Sequence, residues 1–132
     1  YRFLNKYFLF LQIPIGLSLF AIGEKLGVGG WSLVLWGIPL RLVVVYHITW
    51  LVNSATHCWG TVAFDSGDES KNNAWVAALT FGEGWHNNHH AFPNSARQGL
   101  FKGQIDLTWE HIKFLARLGF AKKIKLPSRT YY

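Results

Sequence analysis

The amino-acid sequence predicts an all-α protein, an integral membrane helical hairpin followed by a cytoplasmic helical cap. Three observations predict it. Two apolar runs, Tyr7 to Ile22 and Trp31 to Val52, are separated by a short Gly-rich turn at about 23–30. Of the 132 residues, 50% are hydrophobic and 17% aromatic, more than a core of this size hides, so lipid or further protein must cover part of that surface. Downstream, helix signals return and lead to His86, His89 and His90, three of the six histidines within five residues. The predicted organisation is therefore 1–52 for the hairpin and 53–132 for a cytoplasmic helical region with metal-ligand motifs and a basic tail.

The first run follows Arg2 and Lys6 and, with Phe3 and Leu4, is long enough to cross a hydrocarbon core of about 30 Å as a helix. Pro14 is expected to kink it. Gly23 to Gly30 is a turn and not a phosphate loop, since it has no Gly-Lys-Ser/Thr and no strand before it. The second run is interrupted by Pro39, Arg41 and His47, and an Arg inside a span is expected to face protein, a polar cavity or the interface. Arg2 and Lys6 precede the hairpin and nine Lys/Arg follow residue 53, whereas the turn holds only Lys25 beside Glu24. The positive-inside rule then places both termini on the cytoplasmic or an equivalent side. The chain opens on Tyr1 inside a running helix with no signal-peptide pattern, and it is read as the C-terminal part of a longer protein.

The second helix is expected to continue through Asn53 to His57, two residues four apart on one face. His47 and His111 are read as structural, and Cys58, the single cysteine, as a small packed residue. With no partner thiol, the soluble parts belong to a reducing compartment. Phe64 to Ser70 is an acidic turn without calcium-loop spacing, read as a solvated turn capping a helix from about Asn72 that runs to Phe81. Gly82 and Gly84 let backbone pass close to another element, and Glu83 between them is either an acceptor orienting a ligand histidine or a surface charge. Residues 91–104 are loop, and Asp106 N-caps an amphipathic helix to about Leu118 that Gly119 stops. Lys122, Lys123, Lys125 and Arg129 concentrate the net charge of +6 at the end, in a solvated tail suited to an anionic lipid surface or acidic partner. Nucleic acid is disfavoured, because no basic face interleaved with stacking aromatics stands clear of the apolar runs.

On a helix turning about 100° per residue, His86, His89 and His90 share one face and their imidazoles can meet in one small volume. Imidazole is the commonest metal ligand among side chains. It suits iron, copper, zinc and nickel alike, so spacing does not name the metal. His-Glu-x-x-His, paired thiolates and a Gly-x-Ser-x-Gly elbow are all missing, which leaves zinc proteolysis, structural zinc and serine hydrolysis unsupported.

Gly82-Glu83-Gly84-Trp85-His86-Asn87-Asn88-His89-His90-Ala91-Phe92-Pro93 resembles the third histidine box of the membrane fatty-acid desaturases of the stearoyl or acyl-lipid delta-9 type. Trp50 to His57 is similar to the same family's segment carrying an additional ligand, and the likeness covers nearly the whole chain. Asn94-Ser95-Ala96-Arg97 leans toward the cyanobacterial and plant branch. The resemblance implies a histidine-bound di-iron centre that uses O2 and two electrons to introduce a cis double bond into a saturated acyl chain, carried either on a membrane lipid or on CoA. It implies His57, His86, His89 and His90 as iron ligands and Asn53 as a ligand through water. It also implies that Thr49 and Trp50 line the substrate tunnel, and that the electron donor is ferredoxin or a b-type cytochrome. Neither of the family's two earlier boxes, a His-x-x-x-x-His and a separate His-x-x-His-His, occurs in this chain ahead of residues 86–90, and Phe101 to Gln104 lacks a Trp expected nearby. A related histidine-box membrane hydroxylase and a catalytically inactive fragment are the alternatives.

Overall fold

The computed structural model describes residues 2–127, apart from the side chain of Leu4. Arg129 of the basic tail lies outside the described residues. Every regular element is helical: α1 (Arg2–Leu26), α2 (Gly30–Leu35), a π-helical turn (Trp36–Leu40), α3 (Arg41–Cys58), α4 (Ala74–Leu79), α5 (His86–Ala91) and α6 (Leu107–Arg117). Among the described residues the only β pairing is two isolated antiparallel bridges, Thr61 with Asn72 and Asn72 with Trp85. The chain divides into two compact units, Tyr1–His47 and Ile48–Tyr132.

In the first unit α1 runs through Pro14 as one 25-residue helix. The Ser18 hydroxyl donates to the Pro14 carbonyl at 2.8 Å, the local back-bonding that apolar surroundings favour. Segments 5–26 and 30–58 are both long and apolar enough to cross a membrane. The second is not a regular α-helix throughout. Pro39 cannot donate to the carbonyl four residues back, and the backbone widens into the π-turn that contains it. One turn on, the Arg41 Nε donates to the Gly37 carbonyl at 3.0 Å. Arg41 thus spends part of its hydrogen-bonding capacity on its own helix.

The hairpin turn is fixed from both sides. Gly27 and Gly29 take the left-handed φ values of 71° and 84°, which glycine adopts without steric cost. The Glu24 carboxylate accepts from the Gly30 amide at 2.6 Å, satisfying one of the orphan donors at the start of α2. Small residues then let α1 and α2 approach. A Cβ on Gly23 would lie 2.7 Å from the Gly29 carbonyl oxygen, and one on Gly30 would lie 2.5 Å from the Phe20 ring. Phe20 in turn meets Trp31 edge-to-face at 5.4 Å.

The second unit has a small core in which Val52 and Ala55 of α3 pack on Val76 of α4, with Leu51 alongside. Val52, Ala55 and Thr56 form the buried face of α3. Cys58 lies off that face and is exposed, which corrects the expectation of a packed thiol. Helix α4 is also shorter than the sequence suggests. Asn73 is its N-cap, accepting from the Val76 amide at 3.2 Å. It ends at Leu79 because Phe81 adopts φ 57° and Gly82 φ 123°, values that no α-helix continues through. Asp106 caps α6 as expected, accepting from the Trp109 amide at 2.8 Å, and Gly119 follows with φ 80°.

Candidate metal centre

The site is built from the end of α3, the whole of α5 and the loop between α3 and α4. Helix α5 is six residues long, too short to be stable by itself, and its two asparagines attach it to its surroundings. The Asn87 Oδ1 accepts from the amides of Ala63 and Phe64, both at 2.8 Å, and its Nδ2 donates to the Phe64 carbonyl at 2.9 Å. The Asn88 Oδ1 accepts from the Asn72 Nδ2 at 2.7 Å, while its own Nδ2 donates to the Gln98 carbonyl at 2.7 Å and the Gln104 Oε1 at 2.8 Å. Both are essentially inaccessible to solvent. Asn72 returns the contact, its Oδ1 accepting from the Asn88 amide at 3.2 Å.

The approach to α5 depends on the two glycines before it. A Cβ on Gly84 would stand 2.1 Å from the Ala77 amide nitrogen, so α4 packs directly on the backbone there. A Cβ on Gly82, at φ 123°, would stand 2.6 Å from the Asp106 carboxylate. Asp106 holds the far side of the site, its second oxygen accepting from the amides of Gln98 and Gly99 at 2.7 and 2.9 Å. Trp85, buried, donates from its indole to the Ile105 carbonyl at 2.8 Å.

With α5 so held, one ring nitrogen from each of His57, His86 and His90 lies within 4.8 Å of the others. The Nε2 atoms of His86 and His90 are 3.0 Å apart. His57 meets both rings edge-on, with centroids 5.2 and 5.4 Å away. His89 stands at the border, 6.0 Å from His86 and 5.8 Å from His90 by centroid, and its Nδ1 is buried without a hydrogen-bond partner. Burial pushes the His86 imidazole down to about 4, and positive charge on His90, His57 and His89 would push it the same way. Near neutral pH His86 therefore keeps a lone pair free.

These donors fit a transition metal. The converging atoms are all imidazole nitrogens, burial holds His86 neutral, and a buried ring nitrogen beside it lacks a partner. Imidazole is a normal ligand for iron. The end of α3 is itself clamped, since the Lys71 Nζ donates to the carbonyls of His57 and Cys58, each at 3.1 Å, and the Lys71 amide to that of Thr56 at 2.7 Å. One carboxylate reaches the cluster: Asp68 contacts the His90 Nδ1. Hydrogen bonds from the Ser70 hydroxyl and amide, aided by Ser66 and His90, hold Asp68 well below the usual carboxylate range, so it is ionised.

A model of the fatty acid desaturase family matches residues 2–121. The chain belongs to that family. It is 55% identical over 130 residues to the sn-1 stearoyl-lipid 9-desaturase of Synechocystis sp., covering 98% of this chain and 39% of that relative. Identity to the sn-1 stearoyl-lipid 9-desaturase of Anabaena variabilis is also 55%, over 98% of this chain and 45% of the relative. The palmitoyl-monogalactosyldiacylglycerol delta-7 desaturase of Arabidopsis thaliana is 53% identical over 98% of this chain and 33% of its own length. The chain thus spans about two fifths of the length of the desaturases it matches.

The structure brings together three of the four histidines singled out in the sequence, with the fourth adjacent. The other expected site residues lie on α3 and in the segment between α4 and α5. Asn53 is exposed and its Nδ2 donates to the Thr49 carbonyl at 2.8 Å. Thr49 and Trp50 are exposed on the same stretch of α3. Glu83 is exposed and accepts from the Gln98 Nε2 at 3.2 Å, not from a histidine. Sequence reasoning missed Asp68, which it placed in a solvated turn, and missed Asn87 and Asn88 as structural ties. The signal for the asparagines was available: they fall off the histidine face of α5, where a helix packed into protein must meet something.

Proposed function

We propose that this chain forms the C-terminal part of a membrane acyl-lipid desaturase and supplies part of its histidine-bound di-iron site. The convergence of His57, His86 and His90 inside a chain of the desaturase family carries this reading. In it, His57, His86, His89 and His90 are ligands and Asn53 reaches the metal through water. Iron bound there supplies the oxidising power, with O2, two electrons and two protons, to take two hydrogens from adjacent methylenes, leaving a cis double bond and two waters.

The residues of this chain do the rest. Burial keeps the His86 imidazole neutral and available. Asn87 and Asn88 fix the helix that presents three of the imidazoles, so little reorganisation remains when metal is bound. Thr49 and Trp50 contact the acyl chain, whose methylenes offer no polar handle and are gripped by shape and apolar surface alone. Position 9 of a stearoyl chain carried on a glycerolipid is the favoured substrate, supported by the 55% identity to two sn-1 stearoyl-lipid 9-desaturases against 46% to an acyl-CoA C20 delta-5 desaturase. Electrons arrive from ferredoxin or a b-type cytochrome. Residues 1–52 form a membrane hairpin with both ends on the cytoplasmic or stromal side, and 53–132 a helical region on that side, a reading supported by the two apolar segments and the scarcity of Lys/Arg in their turn.

The test is metal content and product together. The detergent-purified intact protein should hold about two irons per chain and convert a stearoyl-glycerolipid to its 9-unsaturated form when given O2 and reduced ferredoxin. Zinc in place of iron, or an alcohol in place of an alkene, refutes the reading.

A further inference from the structure

We propose that Asp68 is a positioning residue for the metal centre, setting the tautomer of His90 so that its Nε2 lone pair faces His86 and His57. The inference rests on the metal-site reading above.

The oxygens of a carboxylate meet an N–H as acceptors. Asp68 contacts the His90 Nδ1 through Oδ2, so that nitrogen carries the proton. In a neutral imidazole the other nitrogen is then the acceptor. That nitrogen, Nε2, stands 3.0 Å from the His86 Nε2. The lone pair of His90 is thereby delivered to the one place where the three histidines converge. A carboxylate on the remote nitrogen also raises the basicity of a ligating imidazole and fixes its ring orientation.

Asp68 is held for this role and is not a freely moving surface acid. Its other oxygen accepts from the Ser70 amide at 2.9 Å and from the Ser66 hydroxyl at 2.9 Å. Both serines belong to the network around Asn87, whose Nδ2 lies 3.2 Å from the Ser66 Oγ and 3.4 Å from the Ser70 Oγ. Asn87 and His90 sit on the same short helix. The loop that carries Asp68 is therefore fastened to the helix whose histidine it orients, through a contact independent of that histidine. Asp65, in the same loop, makes only a local turn bond to the Gly67 amide at 3.2 Å and serves as a control for charge.

The discriminating substitution is Asp68→Asn. It keeps an acceptor for the Ser70 amide but turns an NH2 toward the His90 Nδ1. A donor there requires His90 to invert, placing its proton on Nε2 and withdrawing the lone pair from the cluster. The experiment uses the intact protein in detergent, labelled with 15N-histidine, with D68N and D65N beside the wild type. Ring 15N signals of the metal-free proteins report the tautomer, and Fe(II) titration reports affinity.

The expected result is a His90 protonated at Nδ1 in wild type and D65N and at Nε2 in D68N. Iron affinity should fall about 10–100-fold in D68N and hold in D65N. Asp68→Glu, which retains the carboxylate, should recover most of that loss. An unchanged His90 tautomer in D68N, or D68N iron affinity within about twofold of wild type, overturns the proposal. A wild type that takes up no iron overturns the metal-site reading itself, and is distinguished because it is read before any substitution is made.

Discussion

Replacing Asn88 by Ala tests whether the asparagines, more than any apolar contact, hold the histidine helix in place. The side chain is 1% exposed and makes three side-chain hydrogen bonds, to Asn72, Gln98 and Gln104. The partners do not suffer equally. The Gln104 Oε1 still accepts from the amides of Leu100 and Phe101 at 2.9 and 3.1 Å. The Asn72 Nδ2 and the Gln98 carbonyl have no other hydrogen-bond partner among the described residues and lose the one they have. Each orphan costs about 1–3 kcal/mol, so the loss should be roughly 2–6 kcal/mol. That is a large share of the roughly 5–15 kcal/mol that stabilises a typical domain. Denaturant unfolding of the detergent-solubilised protein, followed by tryptophan fluorescence, measures it. Asn88→Asp sharpens the test, because it keeps the acceptor for Asn72 but sets a carboxylate against the two acceptors at Gln98 and Gln104. It should cost at least as much as Ala. A loss under about 1 kcal/mol for both would refute the assignment.

Gly84→Ala should displace α4 from the approach to α5, since its Cβ would meet Ala77 backbone at 2.1 Å; the measured outcome is lost iron binding as well as lost stability. Gly67→Ala, with open space and only a positive φ to oppose it, should cost about 1 kcal/mol and leave iron binding intact. In the hairpin, Gly23→Ala meets backbone at 2.7 Å whereas Gly16→Ala meets only the Ile38 Cδ1 at 3.5 Å; resistance to thermal unfolding should fall for the first and hold for the second. The metal-free protein should lose stability as pH drops from about 6.5 to about 4. His86 is depressed to about 4 in the folded state, so between those values the unfolded chain binds the extra proton and stability rises with pH; a flat profile in His86→Ala beside a sloping wild type is the check. Chelation of iron at about 100 times its dissociation constant should remove about 2.7 kcal/mol of stability from wild type and less from His57→Ala.

Much of this was legible from sequence because it depends on local chemistry. Apolar length gave the two long helices, and turn glycines gave the break between them. Asp106 and Gly119 marked the ends of α6, since capping needs only a few consecutive residues. The three-and-four spacing of the histidines put them on one face. What stayed hidden were contacts between residues far apart in the chain. Asp68 is 22 residues from His90, and an acidic turn with two serines reads as solvated until α5 is set against it. Glu83 was the nearer acid and drew the expectation, but Gly82 and Gly84 pack on opposite neighbours and leave its side chain exposed toward Gln98. The π-turn at Pro39 was likewise invisible, because proline in an apolar run predicts a disturbance without saying which backbone form absorbs it.

The pair of asparagines between the histidines shows why a helix that presents three imidazoles on one face is not simply amphipathic. A histidine face must stay accessible to an ion, so the opposite face has to supply all the anchoring. Apolar residues there would bury area, but they would not set the rotation of a six-residue helix with much accuracy. Amides do, because each offers both donors and acceptors with fixed directions and carries no charge to desolvate. Asn87 fastens the helix to backbone at 63–64 and Asn88 to the 98–104 segment, two supports on different sides. Rotation of α5 about its axis would break both sets at once. The rotation of the imidazoles is therefore fixed by hydrogen bonds that no ligand-centred view of the His-Asn-Asn-His-His sequence includes, and substitution of either asparagine should disturb iron binding without touching a ligand.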